Sequence, residues 1–135
     1  MLLDSSALVA LVMAEDSARA VFDAISDVPT RAVGAPSLVE TAMVLDGRRA
    51  AASQGASSEL ALVMARFEVS VLPFGPDHWP VAWAAFLRYG KGRHPAGLNF
   101  GDCLTYAVAK LSGLPLLCVG DSFTQTDLTL VPLTG

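Results

Sequence analysis

The chain has 135 residues, 53% of them hydrophobic and 16% charged, which suits a globular domain with a real core and excludes a disordered composition. Nine Lys and Arg face thirteen Asp and Glu, a net charge of −4 that argues mildly against a nucleic-acid partner. Apolar runs such as residues 7–14 end well short of the roughly 20 residues needed to span a bilayer. The opening Met1, Leu2, Leu3 and Asp4 lack a basic leader. The expectation is therefore a soluble cytoplasmic protein without a membrane partner, with one domain over residues 1–135. Cys103 and Cys118 have no C-x-x-C spacing and sit in apolar surroundings, and His78 and His94 stand in different settings. These features predict buried free thiols rather than a disulfide or a zinc site.

In chain order, strand-like and helix-like segments alternate. Residues 1–4 are an apolar run ending in an acid. Residues 5–14 read as a helix from Leu8, Leu11 and Val12, and residues 16–28 continue with Ala20, Val21, Ala24 and Ile25 on one face. Pro29 breaks that pattern, and 31–35 is a second strand. Residues 37–48 and 58–67 form two helices joined by a Ser/Gly/Ala turn at 53–58, a predicted helical hairpin. Residues 69–74 make a third strand, and 76–89 a helix in which Pro80 is tolerable only within the first turn. A loop at 90–98 leads into a helix ending near 113, followed by a fourth strand at 115–119 and a short fifth at 128–131. Strands apolar on both faces and separated by helices indicate an α/β fold with a mainly parallel sheet of about five strands.

In open parallel sheets, ligands bind outside the carboxyl ends of the strands. Four acids fall at such places: Asp4 after the first strand, Glu40 in the helix after the second, Asp102 in the helix before the fourth, and Asp121 just after the fourth. Each has an ordinary structural explanation. Asp4 can cap the first helix, Ser37 and Glu40 match a capping box, Asp102 follows Asn99 at the same spacing, and Asp121 suits a Gly-Asp-Ser turn. A cap, however, needs only a hydroxyl or an amide. Four carboxylates on one rim repel one another, and their convergence points to a cation. Oxygen-only ligation favours magnesium or manganese over zinc and fits metal-assisted phosphodiester hydrolysis. These four acids also account for the whole negative excess, so the net charge does not exclude an RNA partner.

The segments MLLDSSALVAL (1–11), APSLVETAMVL (35–45), KGRHPAGLNFGDCLTYAVAK (91–110) and LLCVGDSFTQTDL (116–128) together resemble the PIN-domain ribonucleases, specifically the VapC-type toxins of bacterial toxin–antitoxin pairs. The resemblance covers essentially the whole chain. It implies a three-layer fold with the sheet between helices, and an acidic cluster of Asp4, Glu40, Asp102 and Asp121. Asp4, Asp102 and Asp121 would bind Mg2+ or Mn2+, with Glu40 acting directly, through water, or on the nucleophile. Ser6 would orient Asp4 by an outer hydrogen bond. It further implies endoribonuclease activity, a homodimer, and a cognate antitoxin whose C-terminal segment covers the acidic cleft. One departure concerns the fourth motif. Relatives often carry two polar or acidic residues after its glycine, whereas here Asp121 is followed by Ser122, so Asp127 is an alternative fourth acid.

Other features bear on substrate and partners. Arg88, Lys91, Arg93 and His94 precede Asp102, and Lys91, Arg93 and His94 are candidate RNA contacts; a solvated loop explains the same charges. His94 is also a candidate acid or base. Single-stranded or looped RNA is the expected target, since duplex RNA hides its base edges. Trp79, Trp83 and Phe86 at helical spacing predict core or dimer-interface positions. Leu38, Ala42, Leu45, Leu60 and Val63 suit either a groove for an antitoxin helix or the protein's own core. Two competing readings are a phosphotransfer receiver or haloacid-dehalogenase-like phosphatase, which lacks its Asp-x-Asp-x-Thr motif here, and a non-catalytic PIN-derived RNA-binding or scaffold protein.

Overall fold

The computed structural model describes residues 1–48 and 56–134. Among them are four strands, β1 (Leu2–Leu3), β2 (Arg31–Gly34), β3 (Val69–Leu72) and β4 (Leu116–Leu117). Six helices surround them: α1 (Ser5–Met13), α2 (Ala18–Ser26), α3 (Ala35–Arg48), α4 (Ala56–Arg66), α5 (His78–Tyr89) and α6 (Phe100–Ser112). All the strand pairings are parallel, in the order β3-β2-β1-β4. Residues 53–55 of the expected turn lie outside the described residues.

Side chains alternate along a strand, and β1, β2 and β4 divide accordingly. Leu3, Val33 and Leu117 enter a core with Leu8, Val21, Ile25 and Leu45 from α1, α2 and α3. Leu2, Ala32 and Leu116, one residue earlier in each strand, enter a second core with Ala82, Ala85, Tyr106 and Val108 from α5 and α6. With both faces buried, the strands must be apolar throughout, which is why they read as uninterrupted hydrophobic runs. Arg31 supports the lower end of the sheet: its guanidinium donates to the carbonyls of Ile25 at 2.6 Å, and of Val28 and Phe67 at 3.1 Å. At the upper end of β2, a Cβ on Gly34 would come within 3.0 Å of Val108 Cγ2, so the glycine lets α6 pack closely over the strand.

The chain moves outward from β1 through β2 to β3, then returns to place β4 on the other side of β1. The order therefore reverses between β1 and β4, at the carboxyl ends where Asp4 and Asp121 emerge. This is the position at which parallel sheets open a ligand crevice.

Two boundaries differ from expectation in ways that matter. Helix α3 begins at Ala35 rather than Ser37, because Pro36 is compatible with a first helical turn. The fifth strand reduces to a single bridge between Leu116 and Leu130, with hydrogen bonds on either side of it from Leu116 N to Thr129 O and from Val131 N to Leu116 O. Pro132 then supplies no N–H to extend the pairing.

Candidate active site

Asp4 leaves β1 in an extended conformation and caps α1, accepting from Ser6 N at 3.1 Å and Ser6 Oγ at 2.7 Å. Only 7% of the residue is exposed. Ser6 Oγ also accepts from Val119 N at 2.9 Å, so one hydroxyl links the ends of β1 and β4 and fixes the carboxylate between them. The other Asp4 oxygen receives the Thr105 hydroxyl of α6 at 3.3 Å. Thr105 Oγ1 lies 2.9 Å from Ser37 Oγ, and Thr41 Oγ1 donates to the Ser37 carbonyl at 2.7 Å. Thr105, Ser37 and Thr41 are all buried. Ser37 and Thr105 form a chain of hydroxyl contacts from α3 through α6 to Asp4 that sequence reasoning missed, while Thr41 is satisfied within its own helix. The available signal was a set of Ser and Thr residues on otherwise apolar helix faces, since buried hydroxyls require partners.

Glu40 does not form the capping box its spacing suggested. Because α3 starts two residues earlier, Ser37 lies within the helix and turns to Thr105. Glu40 instead reaches across to α1, where Ser5 Oγ donates to its Oε1 at 2.8 Å. Its other oxygen rests against the open face of Gly101 in α6. Asp102 does form its box with Asn99: Asn99 N donates to Asp102 Oδ2 at 3.1 Å, and Asp102 N donates to Asn99 Oδ1 at 2.8 Å.

The electrostatics connect these three acids. Burial pushes the Asp102 carboxyl above the usual carboxylate range; the Asn99 N–H draws it back, and the charges of Asp4 and Glu40 push it further up. The neighbouring thiols respond similarly. Cys118 is pushed up to about 11 by burial and then by Asp4 and Asp102, while Cys103 is raised by burial and by Asp102. Both cysteines are free. Among the described residues, no cationic side chain forms an ion pair with Asp4, Glu40 or Asp102.

The remaining candidates lie apart or play other roles. Asp121 is exposed in the turn after β4, its carbonyl accepting from Thr124 N and Thr124 Oγ1. Asp127 is committed elsewhere, with Tyr106 Oη at 2.7 Å, Lys110 Nζ at 2.7 Å and Arg88 at 3.7 Å. Lys91 and Arg93 are exposed, and Arg93 lies over the Phe86 ring. His94 Nδ1 accepts from Ala96 N at 3.0 Å, and its ring meets Tyr89 edge-on, so it locks its own loop. Trp79 and Trp83 are not core residues: they are 62% and 55% exposed, with Phe86 stacked on Trp83. Together with Phe100, 81% exposed, they form a broad apolar surface between α5 and the start of α6. Of the expected helical groove, Leu45 and Leu60 are buried in the core, and Leu38, Ala42 and Val63 pack against it. That pattern serves the protein's own interior.

Whether the acids suit a metal ion turns on their donor set. Among the described residues, no three His, Cys, Asp or Glu side chains are close enough to hold one ion as a group. A closed cage of Asp4, Asp102 and Asp121 is therefore not assembled. Magnesium, however, retains several waters and commonly binds through only one or two carboxylates. Asp4 and Asp102, mutually repelling and without a counter-cation, offer that kind of all-oxygen pair.

A parallel α/β sheet with unneutralised carboxylates at its switch point defines a class of acidic-site domains. Residues 1–128 match the PIN domain family. The chain belongs to that family. It is 42% identical to "Ribonuclease VapC" of Mycolicibacterium smegmatis, over 97% of this chain and 99% of that one. It is 41% identical to "Ribonuclease VapC36" of Mycobacterium tuberculosis, over 100% of this chain and 96% of that one. The fold matches Mycobacterium tuberculosis VapC20, described as a sarcin-ricin loop cleaving toxin, with a TM-score of 0.76, 22% identity and coverage of 96% and 97%. It also matches a toxin–antitoxin complex from Klebsiella pneumoniae, with a TM-score of 0.70, 17% identity and coverage of 96% and 95%.

Proposed function

We propose that this protein is a metal-dependent endoribonuclease and the toxin of a toxin–antitoxin pair, working as a single domain over residues 1–135. The observation that carries the reading is the convergence of acids on the start of α6, where Thr105 meets Asp4 and Gly101 meets Glu40 on either side of Asp102 in the chain, without a cationic partner among the described residues. The near-full-length similarity to VapC ribonucleases supports it. Asp4 and Asp102 would hold Mg2+ or Mn2+, with Asp121 acting through solvent from the exposed turn after β4. A bound ion of this kind lowers the pKa of a water and neutralises charge on the scissile phosphate. Glu40, placed by Ser5, orients the attacking water. Lys91 and Arg93 hold the backbone of single-stranded RNA, while Asp127 and His94 serve the scaffold. The partner is a cognate antitoxin whose C-terminal segment covers the acidic crevice in the cytoplasm. The exposed surface of Trp79, Trp83 and Phe100 joins two copies in a homodimer.

The test is RNA cleavage by purified protein with Mg2+, Mn2+ or EDTA, comparing wild type with Asp4→Asn and Asp102→Asn. Cleavage that needs metal and disappears in either variant is expected. Cleavage that persists in EDTA, or survives both substitutions, would overturn the mechanism.

A further inference from the structure

The geometry points to Gly101 and Ser5 as a pair of positioning residues that set where the Glu40 carboxylate stands, and the inference rests on the proposed part of Glu40 in RNA cleavage. A glutamate carboxylate sits at the end of three rotatable bonds, and holding it in one place requires contacts at that end. Ser5 provides one, donating to Oε1 at 2.8 Å from the first residue of α1.

Gly101 supplies the room for that place by having no side chain. It occupies the first turn of α6, where alanine is a better helix former. Its backbone gives no reason for glycine, because the positive-φ glycines are Gly92, Gly97, Gly113 and Gly120. Space does. The three atoms nearest to a Cβ built on Gly101 all belong to the Glu40 carboxyl: Oε2, then Cδ at 3.0 Å and Oε1 at 3.2 Å. An alanine there would meet no other obstacle so closely, and the flexible end of Glu40 would give way. The Ser5 hydroxyl thus holds the carboxylate in the place that Gly101 leaves open, next to Asp102 in the chain.

This assignment predicts a variant that folds well and works poorly. Gly101→Ala is expected to melt no lower than wild type, because the substitution favours the helix. Its kcat should fall roughly a hundredfold, the scale for a small displacement of a group at the reacting centre. KM should stay within about twofold, because transition-state rather than ground-state contacts are lost. Mn2+ affinity, measured calorimetrically without RNA, should fall about tenfold, as for lost outer contacts to a metal site. Ser5→Ala should move both readouts the same way, and Ser5→Thr, which keeps the hydroxyl, should restore them. The decisive comparison is Gly101→Ala in an Glu40→Asp background. The shorter acid withdraws from the alanine, so the second substitution should change little there, a coupling that independent sites do not show.

Gly101→Ala that cleaves RNA and binds Mn2+ like wild type overturns the inference. So does an equal loss in the Glu40 and Glu40→Asp backgrounds, which would mark a general effect on α6. Wild-type protein without metal-dependent cleavage counts against the nuclease reading instead, and the Mn2+ affinities of the same variants then decide the positioning claim alone.

Discussion

Thr105→Val isolates the buried hydroxyl chain that holds Asp4. The substitution keeps the branched shape of a residue only 2% exposed but deletes Oγ1. The Asp4 carboxylate loses a donor at 3.3 Å, and the buried Ser37 hydroxyl loses its partner at 2.9 Å. A hydrogen bond to a charged group contributes about 1.5–3 kcal/mol, and a buried hydroxyl left unpaired costs about 1 kcal/mol or more. The long Thr105–Asp4 contact argues for the lower end, so a loss of about 2–3 kcal/mol is expected. For 135 residues the unfolding entropy is about 0.3 kcal/mol/K, which converts the loss to a fall of roughly 7–11 °C in Tm. Calorimetric melting in EDTA measures this without interference from bound metal. Adding Ser37→Ala should cost little more, because the hydroxyl already without a partner is then removed. A Thr105→Val variant melting within about 2 °C of wild type would refute the argument that these hydroxyls support Asp4.

Two further outcomes follow from the site and the surface. Because its folded-state carboxyl is raised by burial and by Asp4 and Glu40, Asp102 keeps its proton to higher pH in the folded protein than in the unfolded one. Its ionisation therefore lowers stability as pH rises from the ordinary carboxylate range through the raised value. Asp102→Asn can still accept from Asn99 N–H, so in EDTA at neutral pH it should melt above wild type, with the gap closing in acid; a lower Tm at neutral pH would mean that capping by the carboxylate dominates. Trp83→Glu, placing a charge on the exposed aromatic surface, should convert a dimer into a monomer in sedimentation velocity. Unchanged sedimentation, or a monomeric wild type, would remove that surface from the interface.

Much of the fold was legible because both sheet faces are buried, so Leu2, Leu3, Ala32, Val33, Leu116 and Leu117 must all be apolar whichever core they enter. The positions of Asp4 and Asp102 followed from the same segmentation, since strand ends and helix starts are marked by caps. The place of Glu40 in the helix after β2 is legible in the chain, but its contact with Ser5 is not. The spacing of Ser37 and Glu40 fits a capping box only if the helix begins at Ser37, and Pro36 allows it to begin earlier. Thr105, Ser5 and Gly101 were invisible for a different reason: their roles are relations between segments 35 to 101 positions apart, as in the Ser5–Glu40 and Thr105–Asp4 contacts. Periodicity, which reports one element at a time, carries no trace of such relations. The aromatic spacing of Trp79 and Trp83 likewise signalled a shared helix face without revealing that the face is exposed.

The central claim is that acids from distant segments meet to hold a hard divalent ion, and anomalous scattering from crystals soaked in Mn2+ tests it most directly. The account predicts a single peak at the β1–β4 switch point bounded by Asp4 and Asp102, lost in crystals of Asp4→Asn. A peak elsewhere on the molecule, or none at saturating Mn2+, would contradict it.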